Sequence, residues 1–427
     1  MSRLGQSSAA ADAASGVESP YAWLRLAVSL LVSMLGGVGM WSIVVTLPAI
    51  QAEFGVSRAD ATLPYTLTMI GFVLGGVLMG RLSDRFGIVL PVVGGTLALG
   101  LGYVASAHAQ SLWQLASLHG VLIGLFGSSA TFGPVIADIS HWFTRRRGLA
   151  VAICASGSYL AGTVWPLVVQ HLIDSVGWRD AHVAIGLFCV AAMLPLSLLL
   201  RRPSPASAGL PSGPAAAAPG TARRMSPSLL QALLVLAGIA CCVAMAMPQV
   251  HIVAYCGDLG YGAARGAEML SLMLGFGIVS RLASGWVADR IGPLPTLLLG
   301  STLQAFSLLL YIWFDSLASL YVISALFGLV QGGIIPSYAL IVREHFPASE
   351  AGTRIGLVLS STLGGMALGG WMSGAIFDRT LSYDAAFLNG ILWNLLNMAI
   401  AFWLLWRLRR PGARRQPAAL TPAGSRG

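Results

Sequence analysis

The sequence has no lysine and little charge of any kind. All 25 basic residues are arginine, and charged residues make up 10% of the 427, against roughly 25% in a soluble domain. So few charges cannot cover the surface of a soluble fold. Cysteine is also scarce. Cys154, Cys189, Cys241, Cys242 and Cys256 lie in or at the end of apolar runs without metal-ligand spacing, which argues against a disulfide framework and for small packing residues. There is no P-loop, no HExxH and no serine nucleophile elbow, so the chain carries no enzyme signature and implies no cofactor. Without a P-loop, self-contained ATP-driven transport is excluded.

What is present is apolar. Hydrophobic residues make up 56% of the chain and the mean hydropathy is +0.77. The blocks 24–50, 113–139, 149–173, 229–255 and 385–406 each exceed the roughly 20 residues that cross a bilayer core as a helix. They lack the two-residue alternation of barrel strands, so an all-α integral membrane protein is predicted. Twelve spans are expected near 23–49, 61–80, 88–107, 112–139, 149–174, 181–200, 228–256, 267–288, 294–314, 318–342, 354–377 and 385–406. The first apolar block is too long for a signal-peptide core and no small-residue cleavage pattern follows it, so it reads as a retained helix.

Arginine placement sets the expected orientation. With residues 1–22 as a polar cytoplasmic tail, the inner segments hold Arg81, Arg85, Arg145–Arg147, Arg201, Arg202, Arg223, Arg224, Arg290, Arg343, Arg354 and the basic tail 407–427. The outer loops hold only Arg58, Arg179, Arg265 and Arg379. This is the positive-inside pattern, and it puts both termini in the cytoplasm. The net charge of +9 then follows from topology, and no nucleic-acid partner is needed to explain it.

Residues 201–227 turn to Pro, Ala, Gly and Ser, a composition that cannot bury enough apolar surface to order itself. A disordered linker is expected there, between bundles at 23–200 and 228–406. The two sides repeat each other. Gly80-Arg81-Leu82-Ser83-Asp84-Arg85-Phe86-Gly87 recurs as Gly285-Trp286-Val287-Ala288-Asp289-Arg290-Ile291-Gly292, an offset of 205 shared by Trp178-Arg179-Asp180-Ala181 and Tyr383-Asp384-Ala385-Ala386. A parallel six-helix repeat follows. Each octapeptide reads as a short turn between second and third helices. Its glycines permit a tight turn, and its aspartate is placed to accept from the next helix start.

These paired turns resemble the signature of the major facilitator superfamily, and the resemblance covers nearly the whole chain. The segments Glu53-Phe54-Gly55-Val56-Ser57-Arg58-Ala59, His141 to Ala150 and Gly177-Trp178-Arg179 are similar to the monocarboxylate transporter and oxalate/formate antiporter branch. The resemblance implies alternating access by two pseudo-symmetric bundles around a central site lined by the first, fourth, seventh and tenth helices. It implies cytoplasmic gate pairs of Asp84 with Arg145, Arg146 and Arg147, and of Asp289 with Arg343. Surface ion pairing of no consequence is the alternative.

A charge inside the bilayer costs about 2.5–3.5 kcal/mol on insertion scales, so each one needs a reason. Arg281 lies eight residues before Asp289, about 12 Å deeper along its helix. Gly277, Ser284, Gly285 and Ala288 on the same face leave space beside it. With no acidic residue at its depth, the expected partner is a substrate carboxylate. The branch resemblance implies the same role, because its eighth helix has an arginine four residues before the signature glycine. Backbone hydrogen bonding and packing are the alternative.

His251, after Pro248, is a candidate carrier of a coupling proton or a packing histidine. Met40, Trp41, Phe132, Tyr255 and Gln331 are further cavity candidates by helix membership and by similarity to the branch. The chain departs from the animal monocarboxylate transporters at Gly277, where they carry an aspartate, and from the oxalate exchanger at Thr362, where it carries a second cation. A single fixed cation suggests a monoanion, or a dianion partly paired elsewhere, and argues against oxalate exchange. The expected function is secondary transport of a small organic anion across a bacterial inner membrane by a monomer, with efflux of an amphipathic compound as the alternative.

Overall fold

The computed structural model describes residues 16–202 and 225–409. Most of the expected linker, with Arg223 and Arg224, and nearly all of the basic tail lie outside the described residues. The described chain is helical throughout, with no strand among the described residues.

Among the described residues, eleven helical segments are long and apolar enough to cross a membrane. They are α1 Pro20–Phe54, α2 Arg58–Phe86, α3 Val89–Ala107, α4 Leu112–Ile139, α5 Arg147–Leu198, α6 Pro227–Asp258, α7 Ala263–Ile291, α8 Pro293–Trp313, α9 Leu317–His345, α10 Glu350–Thr380 and α11 Asp384–Leu408. Segment α5 has 52 residues, about 78 Å of helix, more than twice the apolar thickness of a bilayer. It reverses at Gly177, whose φ of 82° and ψ of 162° no other residue type adopts cheaply. The fifth and sixth spans are its two limbs, which makes twelve spans among the described residues.

The signature octapeptides correct the expectation of a turn. Helix α2 runs on through Phe86 and α7 through Ile291, so only the final glycine of each copy turns. Gly87 and Gly292 do so with nearly the same backbone, φ 77° and 90°, each donating its N–H four residues back. Asp84 and Asp289 therefore sit in a last helical turn, and neither caps the helix that follows. An extra turn of helix lifts the charged side chains clear of the apolar core, which the length of an apolar run cannot reveal.

The first half of the chain (α1–α5) and the second (α6–α11) meet along three seams: α5 against α7, α2 against α10, and α1 against α6. Small residues allow the close packing that lipid-embedded helices rely on. A Cβ on Gly37 would lie 2.6 Å from that of Ala161. The arginine-bearing turns 141–147 and 343–350 define a basic end, and the Arg58 turn defines the far end.

Candidate functional site

Arg281 lies on α7 where that helix crosses α5. Its Nη1 donates to the Ala155 carbonyl oxygen at 3.0 Å, and its guanidinium carbon stands 4.6 Å from the centre of the Tyr159 ring. Its Nε is buried and finds no acceptor. The ion pairs among the described residues do not include it. The open space expected beside Gly277 is filled: a Cβ there would lie 2.5 Å from the Tyr159 ring. Gly285, one turn further toward the basic end, has nothing within 4 Å of its Cβ position. Room beside Arg281 therefore lies toward the basic end.

Trp41 joins this site. Its indole N–H donates to the Ser158 carbonyl at 3.3 Å, so Trp41 and Arg281 rest on the same turn of α5. Met40 is half-buried against the core beside it. The other candidates are not gathered here. Phe132 packs on Phe72 with ring centres 5.9 Å apart. Gln331 is fully buried and accepts from the Gln249 side chain, tying α9 to α6. His251 and Tyr255 stand beside Tyr383, toward the far end.

The far end is closed by residues that the sequence did not single out as a site. Arg58 of the first half is 7% exposed. Its guanidinium forms a two-bond pair with Asp258 at 3.0 and 3.1 Å, donates to the Tyr383 hydroxyl at 2.6 Å, and covers the Phe377 ring at 4.5 Å. Asp378 accepts from the backbone N–H groups of Arg58 and Ala59 at 2.7 and 2.8 Å. The carboxylate thus meets the positive start of the short helix Arg58–Ala61. Asp258, Phe377, Asp378 and Tyr383 all belong to the second half, so this clamp joins the halves.

The clamp has a counterpart within the first half. Glu53, 205 residues before Asp258, takes Arg179 at 2.6 Å and the indole N–H of Trp178, the residue 205 before Tyr383. The repeat supplies the same acidic and aromatic positions twice. In the first half they pair internally, and in the second they reach across to Arg58.

The basic end is different. Asp84, Arg85, Arg145, Arg146, Arg147, Asp289, Arg290 and Arg343 are exposed there, and no ion pair among the described residues joins the halves at that end. The expected pairs of Asp84 with Arg145–Arg147 and of Asp289 with Arg343 are not formed in this conformation. Instead the backbone N–H groups of Arg145 and Arg146 donate to Glu18 at 2.8 and 2.9 Å. These bonds, that of Arg146 foremost, hold the Glu18 carboxyl below its usual value. Arg85 and Arg290 lie over neighbouring rings, Phe86 and Trp286.

Arg25 is a second membrane cation, and it is satisfied. Its Nε and Nη2 hold both oxygens of Asp138 at 2.7 and 2.9 Å, and it is 1% exposed. The signal for it was its position inside the first expected span with Asp138 at the end of the fourth.

The Major Facilitator Superfamily profile matches residues 29–319 and 269–426. Monocarboxylate transporter 13 of Bos taurus is 30% identical over 322 residues, covering 73% of this chain and 72% of that protein. MFS transporter asaE of Aspergillus flavus is 27% identical over 297 residues, covering 68% of this chain and 65% of its own length, just under two thirds. Among solved structures, a mutant of the peptide transporter POT in complex with alafosfalin superposes with a TM-score of 0.72 at 14% identity, over 94% of this chain and 99% of that one. A bacterial homolog of the human lysosomal transporter Spinster gives 0.68 at 14%, over 92% and 96%. At that identity the two structures speak for the fold, while the profile covers most of the chain: it belongs to the Major Facilitator Superfamily, a family of multi-pass membrane transporters.

Proposed function

We propose that the protein is a secondary transporter of a small organic anion, a monocarboxylate, and that Arg281 takes the carboxylate. One observation carries this. Arg25, Arg179 and Arg354 each hold a carboxylate with the Nε and Nη2 edge of the guanidinium, on Asp138, Glu53 and Glu350. Arg281 turns Nη1 to Ala155 and leaves the buried Nε of that same edge without an acceptor. A cation drawn into the protein with an empty fork is costly unless an anion completes it.

In this scheme Tyr159 steadies the guanidinium from below and Trp41 closes the first-half side of the site. In this proposal the conformation is the one open toward the basic end, because the clamp joins the halves only at the far end; the gate arginines at the basic end would find partners in the opposite state. In the same proposal the basic end and both termini face the cytoplasm, which the arginine asymmetry supports, and the protein acts as a monomer in a bacterial inner membrane. The energy source is an ion gradient, with a proton on His251 as the candidate, or exchange.

The test is uptake of labelled lactate and pyruvate into proteoliposomes holding the purified protein, with and without a pH gradient. Saturable uptake that Arg281→Gln abolishes supports the proposal, and no anion flux under any gradient refutes it. A second reading, export of an amphipathic compound, draws on a groove of about 580 Å³ between α5, α7 and α9, lined by Thr163, Leu167, Ser271, Gly275, Phe276 and Val279. Arg281 does not line it, so export through that route would survive Arg281→Gln.

A further inference from the structure

His251 stands beneath the far-end clamp with the direction of its hydrogen bonds settled by its neighbours. Its Nε2 lies 2.8 Å from the Gly370 carbonyl oxygen, which only accepts, so Nε2 carries the hydrogen. Its Nδ1 lies 3.2 Å from the Tyr383 hydroxyl. That hydroxyl already accepts from Arg58 Nη1 at 2.6 Å, so its own hydrogen is free to point at the Nδ1 lone pair. The chain therefore runs one way, from Arg58 to Tyr383 to His251 to Gly370, and crosses from α2 to α6 to α10. Each member is buried or nearly so, and His251 has no exposed surface.

We propose that His251 is the proton-sensitive trigger of the far-end gate: a proton on Nδ1 releases the Arg58 clamp. The added N–H faces an oxygen whose hydrogen already points at it. Tyr383 must turn that hydrogen away, and its oxygen must then serve two cations at once. The groups facing His251 are Tyr383, Arg58 through that hydroxyl, and the Gly370 carbonyl. Asp258 and Asp378 make their hydrogen bonds to Arg58 and its neighbour Ala59. Neither carboxylate hydrogen-bonds to His251, but the Asp378 charge acts on the ring through space, against that of Arg58. The proton binds at Nδ1 with no other bond made or broken, and it leaves by the same atom when the far end closes. In the proposed orientation this gives acid outside the cell as the signal to open outward.

The inference rests on the alternating-access part of the proposed function, not on the nature of the cargo. The experiment measures gate distance in the full chain without substrate, so a wrong cargo leaves it unaffected. Spin labels on exposed Ala52 and Leu381, one in each half at the far end, are read by pulsed dipolar spectroscopy in nanodiscs. The ratio of long to short distances should rise about tenfold between about pH 8 and about pH 5.5. His251→Gln, which can still accept from Tyr383 and donate to Gly370 but cannot charge, should abolish the pH response. Tyr383→Phe, which removes the shared hydroxyl, should also flatten it and covers the case in which the glutamine variant fails to fold. An unchanged ratio in the parent protein, or an undiminished response in either variant, overturns the proposal.

Discussion

Arg58 and Asp258 lie 200 residues apart and form a two-bond ion pair that joins the halves of the molecule. With Asp378 on the adjoining backbone, it makes the far end the closed end. The pair sits where α2 begins and α6 ends. Opening that end must separate them.

Asp258→Asn should therefore shift the molecule toward opening at the far end. A hydrogen bond to a charged group contributes about 1.5–3 kcal/mol, so the closed population should fall by roughly tenfold or more. The same far-end distance measurement at neutral pH checks it. Asp378→Ala should act in the same direction, because it uncaps the Arg58–Ala61 turn.

Arg281→Lys keeps the charge but loses the planar fork. Anion binding should weaken by about tenfold to a hundredfold, while Arg281→Gln should remove it altogether. Titration calorimetry of the purified protein with a monocarboxylate reads both. Equal affinity for the lysine variant would mean that the fork is not used.

Asp138→Asn leaves Arg25 buried without its counter-charge. The loss should be about 3–5 kcal/mol, seen as a lowered melting temperature in detergent. Replacing both members, Arg25→Met with Asp138→Leu, should recover much of it. Transport by the double variant tests whether the pair serves stability alone.

Glu18 carries a pH dependence of its own. Its carboxyl is held below the usual value by bonds from the Arg146 and Arg145 backbone, so this capping is complete at neutral pH and is lost as pH falls through the lowered value. Hydrogen exchange at the amides of Arg145 and Arg146 should be slow near neutrality and lose protection only in acid, below the usual carboxylate range. Glu18→Gln should remove most of that protection at every pH.

Gly87→Ala and Gly292→Ala should each cost about 1–2 kcal/mol, since both glycines hold a positive φ. Matching losses in melting temperature would show that the two signature turns are equivalent in energy as well as in shape.

Much of the architecture was legible because it follows from composition and from chain-local pattern. Apolar runs longer than a bilayer is thick can only be spans, and two segments at a constant offset can only be a repeat. Arg281 stood out because a cation in hydrocarbon needs an explanation wherever it lies. The residues around it did not stand out. Tyr159 and Ala155 are ordinary members of an apolar helix, and only the crossing of α5 and α7 makes them neighbours of the guanidinium. Gly277 looked like open space and proved to be the seat of the Tyr159 ring.

The clearest division lies between the two clusters that the repeat produced. The sequence determined the fold class, the spans, the repeat and the presence of a cation, Arg281, inside an apolar span, because these depend on hydrophobicity and spacing along a single chain. Tertiary structure alone decided that Glu53 turns inward to Arg179 while its repeat partner Asp258 reaches across to Arg58. An ion pair depends on distance in space, and 200 residues of chain separate these two. The same holds for His251, which the sequence left open between proton carrier and packing residue. Its candidacy as a gate trigger comes from two neighbours, Tyr383 and Gly370, that only folding brings to its ring.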